Sequence, residues 1–104
     1  MNNSPKVENM QSIRGNDIPN QFIMSHTMSN GDYVRIFQSY DSIIVKTVQK
    51  GNLMAGGTTT VYLDEKYWNY SRTTSKYRTL FLGYDTKEVK AKIKSGEYVL
   101  TDLN

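Results

Sequence analysis

The chain has no cysteine, one histidine, two prolines and one tryptophan among its 104 residues. Without cysteine there are no disulfides, iron–sulfur clusters, thiolate zinc sites or cysteine nucleophiles, a composition that suits a reducing cytoplasm. His26 is the only histidine, so any triad or hydrolytic metal site must use it. It stands among Met24, Thr27 and Met28 with no ligand spacing and reads as structural. No apolar run reaches the length of a membrane span, and nothing near the N-terminus resembles the apolar core of a signal peptide. The expectation is a cytoplasmic protein without membrane association.

Two further absences bear on chemistry. Gly56 and Gly57 lack the lysine and the helix start that a phosphate loop requires. The carboxylates of Asp32, Asp41, Asp64 and Glu65 fall at expected turns and strand ends, where aspartate bonds its own backbone, and form no diagnostic pair. No catalytic residue, metal or cofactor is assigned, and the expectation is that the protein is not an enzyme.

What is present is tyrosine and positive charge. Eight tyrosines supplement an apolar fraction of only 38%, enough for one modest core. From Lys66 to Gly96 eight basic residues face two acids, a net of +6 within a chain whose total is +3. That half of the molecule attracts anions over about 8 to 10 Å at physiological salt.

The organisation expected is an α+β domain over residues 17–104, preceded by a mobile polar tail over residues 1–16. An antiparallel meander of roughly three to five strands is expected between Phe22 and Leu63. Asn30–Gly31 marks a two-residue hairpin turn, Asp41–Ser42 the next reversal and Lys50–Gly51–Asn52 a third. Both faces of the strand at Tyr33–Tyr40 carry apolar groups, which leaves the buried face open. Two short helices follow, at about Thr74–Leu82 and Thr86–Ser95. Gly83 and Gly96 stop them, and Asp85 with Glu88 forms a capping arrangement for the second. A last strand through Tyr98, Val99 and Leu100 can return to the sheet.

The stretch KYWNYSRTTSKYRTLFLG, Lys66 to Gly83, concentrates aromatic and basic residues. Tyr77, Leu80, Phe81 and Tyr84 share one helical face, and Trp68, Leu80 and Phe81 are expected to hold that helix on the sheet. The opposite face presents Arg72, Lys76 and Arg78. With Lys66, Tyr67 and Tyr70 before them, and Lys87, Lys90 and Lys94 on the next helix, they form the candidate partner-binding surface.

The run WNYSRTTSKYRTLFLG, with QSYDSIIV upstream and KIKSGEYVLTDLN at the end, resembles a domain of unknown function found in small proteins of bacteriophages, plasmids and other mobile elements of Gram-positive bacteria. The pattern is an aromatic pair before Ser71, then Thr73, Thr74, a basic residue, Arg78 and the Phe81–Leu82 pair, and the resemblance covers residues 32–104. It implies an accessory protein working inside a bacterial host cell and transfers no catalytic residue.

Residues and resemblance together favour a non-enzymatic binding module acting on a host protein or nucleic acid, with inhibition of a host defence or regulatory factor as one role. The alternatives are a structural or self-assembling phage protein and a small enzyme of unrecognised type. Oligomeric state is left open.

Overall fold

The computed structural model describes residues 5–51 and 57–104. Six strands, β1 (Lys6–Gln11), β2 (Asp17–Thr27), β3 (Tyr33–Ser39), β4 (Ser42–Lys50), β5 (Thr58–Asp64) and β6 (Tyr98–Thr101), form one sheet in chain order. The first five pair antiparallel, and β6 lies parallel to β5 after a connection that carries α1 (Arg72–Leu82) and α2 (Thr86–Ser95). The α+β class, the meander, both helices and the returning strand are as the sequence predicts. Four strands, β2 to β5, fill the stretch where three to five are expected, and β1 is the one strand that the sequence does not anticipate.

Residues 6–11 correct the expectation of a tail. Val7 pairs with Met24 and Asn9 with Phe22, and Met10, on the side of the strand opposite Asn9, enters the core, where it is 3% exposed. Backbone pairing plus one buried methionine is enough to order an otherwise polar segment. Residues 1–4 lie outside the described residues.

The turns follow local chemistry with small shifts. At Met28–Asp32 the Gly31 N–H donates to Met28 O and the Met28 N–H to Asp32 O. Gly31 takes φ 93° and Asn30 keeps negative φ, which makes a three-residue loop in place of the expected two-residue turn. The next hairpin reverses at Tyr40–Asp41, one residue earlier than expected, with Tyr40 at φ 53°. In the third, Gly51 has φ 71°, and Asn52 and Gly56 fall outside the described residues.

Register sets what each sheet face does, since side chains alternate along a strand and paired residues share a face. One face carries Ile23, Phe37, Val45, Leu63, Val61 and Tyr98 and receives both helices. Phe81 of α1 stacks on Phe37 at 5.8 Å, and Val89 of α2 joins the same core. Among the described residues no helix covers the other face. Val7, Met24, Ile36, Lys46, Tyr62 and Val99 pair in one row across all six strands there. Beside it run His26, Val34, Val48 and Thr60 on one flank and Asn9, Phe22, Gln38 and Ile43 on the other.

The helices are set by their caps. Ser71 Oγ accepts from the Thr74 N–H, and Asp85 and Glu88 make a reciprocal capping box. In α1 the face pressed on the sheet is rotated from the expected one: Tyr77 and Phe81 pack against the core as expected, together with Trp68 before the helix. Thr74 and Arg78 are fully buried, Phe81 is half-buried, and Leu80, expected in the core, is 45% exposed. Thr74 Oγ1 lies 3.2 Å from Ser39 Oγ, so a hydroxyl pair occupies the position an apolar contact was expected to hold. Gln21, opposite Ser39 on β2, is also fully buried.

Candidate functional site

Asp64, at the end of β5, builds the corner from which the aromatic stretch leaves the sheet. Its carboxylate accepts from the backbone N–H groups of Lys66, Tyr67 and Leu103 at 3.1, 2.9 and 2.8 Å. Burial alone would push this carboxyl up, but the N–H of Leu103, the Asn104 side chain and the N–H groups of Tyr67 and Lys66 together hold it below its ordinary value. One buried carboxylate thereby ties the corner to the C-terminal segment.

Trp68 turns inward from that corner, and the guanidinium of Arg78 lies over its ring at 5.3 Å. Arg78 Nη1 donates to the Trp68 carbonyl at 2.6 Å and Nη2 to Thr86 Oγ1 at 2.6 Å. These bonds correct the placement of Arg78 on the partner-binding surface. Its side chain points about 200° around α1 from Lys76 and is fully buried. Its fork joins the corner, α1 and the start of α2, and the surrounding burial lowers its pKa from the ordinary arginine value.

Tyr67, partly buried against the core, meets Tyr70 edge to face at 5.3 Å, with Lys66 Nζ 5.3 Å from the Tyr67 ring. Tyr70 is half-exposed and Lys66 and Arg72 are exposed. Tyr70 and Arg72 share a hollow of about 390 Å³ with Asn69, Ser71, Ser75 and Thr86. Arg72 stands in the first turn of α1, which contains no acid. A cation at the positive end of a helix is unfavourable, and an anion placed there offsets both charges.

Lys76, one turn along the same edge of α1, borders a larger hollow of about 630 Å³ between the helix and the loop joining β1 to β2. Ile13, Arg14, Ile18, Tyr77 and Leu80 line it with Lys76. Sequence reasoning missed Ile13 and Arg14 because it assigned them to a tail, and the pairing of Val7, Glu8 and Asn9 with residues 22–24 that orders the segment leaves no local signal. Lys87, Lys90 and Lys94 are exposed on α2 at spacings that share one side of the helix. Lys92 is withdrawn from that set, because it donates to Glu97 at 2.6 Å and lies 4.4 Å from the Tyr84 ring.

Among the described residues the ion pairs are Lys6–Glu8 and Lys92–Glu97, so Lys66, Arg72, Lys76, Lys87, Lys90 and Lys94 carry unpaired charge. No group of three or more potential metal-ligating side chains occurs among them either, and no helix is long and apolar enough to cross a membrane. Of the carboxylates considered for chemistry, Asp64 holds the corner and Asp32 accepts from the Asn30 side chain in its turn. Comparison with known proteins adds no relative: no protein-family model, curated protein or solved structure matches the chain.

Proposed function

We propose that this protein is a non-catalytic binding module that takes an anionic partner, a protein or a nucleic acid, on the edge formed by Lys66, Tyr67, Tyr70, Arg72 and Lys76, extended by Lys87, Lys90 and Lys94. The observation that carries the reading is the unpaired state of the six basic side chains, with Lys66 at the Tyr67 ring and Arg72 sharing a hollow with the half-exposed Tyr70. Charge left unpaired at a surface speeds encounter with an opposite charge, and the rings add contact area with little conformational freedom to lose. The resemblance to a mobile-element family makes a bacterial host the place to look for that partner.

The test is affinity capture from bacterial lysate, with and without nuclease, using the parent and a Lys66→Glu, Arg72→Glu, Lys76→Glu triple variant. The parent is expected to retain a partner that the variant, with an unchanged melt, loses. Loss on nuclease treatment identifies nucleic acid, and the slope of log affinity against log salt should then fall by about 0.7 to 0.9 for each phosphate contact removed. Equal capture by the folded variant would overturn the proposal.

A further inference from the structure

The helix-free face of the sheet is the feature that the basic edge does not use. Its central row runs Val7, Met24, Ile36, Lys46, Tyr62, Val99, and the flanking rows add Val34 and Val48 next to Ile36 and Lys46. Half-buried aliphatic side chains therefore occupy three adjacent strands with one cation among them. Lys46 forms no ion pair among the described residues, and none of the three rows contains an acid. Lys46, Met24, Val34 and Ile36 also line a shallow hollow of about 280 Å³ with His26 and Met28.

Three occupants are conceivable for such a face, and its charge and dimensions choose among them. A second copy docked through the same face would add a second Lys46 and no carboxylate from these rows, so neither cation gains a counter-charge. The six-strand width is about 24 Å and a seven-residue strand about 23 Å, a footprint near 550 Å², short of the roughly 800 Å² per partner typical of a stable pair. A nucleic acid needs several cations along its path, and the rows supply one. By contrast, three strands span about 10 Å, the width of one helix, and a strand of that length matches about 15 helical residues.

We infer that this face docks an amphipathic helix of a partner protein, apolar toward Met24, Val34, Ile36 and Val48, with an acidic side chain that meets Lys46. The partner helix plays on this side of the sheet the part that α1 and α2 play on the other, and the carboxylate supplies the counter-charge that Lys46 lacks. The orientation follows from the charge: the single cation inside an apolar strip fixes which turn of the helix lies over β4.

The probes are three capped helical peptides of about 16 residues with identical leucine faces, carrying glutamate, glutamine or lysine at the flanking positions. Titration by fluorescence anisotropy should show the glutamate peptide binding the parent about tenfold tighter than the glutamine peptide, with the lysine peptide weakest. Lys46→Glu, with an unchanged melt, should reverse that order, and Ile36→Thr should weaken all three. Arg72→Glu with Lys76→Glu should leave glutamate-peptide affinity within about twofold, which separates this surface from the basic edge. Equal affinities for the three peptides, or an order that Lys46→Glu does not change, would overturn the inference. So would a dimer in sedimentation that Ile36→Thr dissolves, or displacement of the glutamate peptide by single-stranded DNA.

Discussion

The two faces of the sheet invert the usual distribution of polarity. The helix-covered face buries Gln21, Ser39, Thr74 and Arg78 without solvent contact, while the uncovered face holds Met24, Val34, Ile36 and Val48 within reach of water. The polar layer lies beneath α1 and is satisfied only in part: Ser39 and Thr74 bond each other, Arg78 is anchored through its two terminal nitrogens, and the Gln21 amide and Arg78 Nε have no partner among the described residues. Polar contacts of this kind demand one geometry, whereas aliphatic contacts tolerate several. The placement of α1 therefore rests on a few directional bonds beside the packing of Tyr77, Phe81 and Leu82, and the aliphatic side chains of the uncovered face are left for contact.

The sharpest way to break this comparison is Arg78→Ala. It removes the guanidinium from over Trp68 and strands the Trp68 carbonyl and Thr86 hydroxyl, so chemical denaturation should show a loss of about 3 to 5 kcal/mol. A loss below about 1 kcal/mol would place the polar layer outside the energetic core. Next comes Phe81→Ala, where the ring is half-buried between Phe37 and the Arg35 guanidinium, 4.8 Å from its centre. Partial burial reduces the cost of this truncation to about 2 to 3 kcal/mol, measured the same way.

Asp64 gives the pH counterpart. Its folded carboxyl lies below the unfolded value, so its stabilisation is present above roughly pH 4 to 5 and is lost as pH falls through the folded value. Melting followed from about pH 6 down to pH 2 should show a decline that Asp64→Asn flattens. An identical decline in that variant would remove Asp64 as the source. At the small end, Ile36→Thr on the uncovered face keeps a β-branched side chain and should cost about 1 kcal/mol or less. A larger loss would mean that this face supports the fold as well as contact.

How far the sequence reveals the molecule depends on where the stabilising groups sit in it. Thr86–Ser95 is read to the residue because its capping box and terminal glycine are local signals. The bounds of α1 are legible for the same reason, but its orientation is not. Periodicity assigns Leu80 inward and Arg78 outward; the bonds that bury Arg78 go to a carbonyl ten residues before it and a hydroxyl eight residues after it, which no hydropathy pattern contains. The strand at Lys6–Gln11 is hidden because its order comes from pairing with β2. Of the candidate surface, Lys66, Arg72, Lys76, Lys87, Lys90 and Lys94 stand exposed, Tyr70 is half-exposed and Tyr67 is partly covered. Lys46 is unreadable as a site, because only the register shows which neighbours it has across the sheet.

The parallel pairing of β6 with β5 also sets an order of events in time. Every pairing from β1 to β5 joins neighbours in the chain through a connection of seven residues at most, and forms from nearby segments. The β5–β6 pairing has to wait until the 33 residues between the strands, with both helices, have been laid down and folded back. Until then Phe37, Val45 and Leu63 lack their helical cover, and Asp64 lacks the Leu103 N–H. During synthesis, which proceeds from the N-terminus, the nascent meander exposes apolar side chains on both faces until the helices and β6 join it.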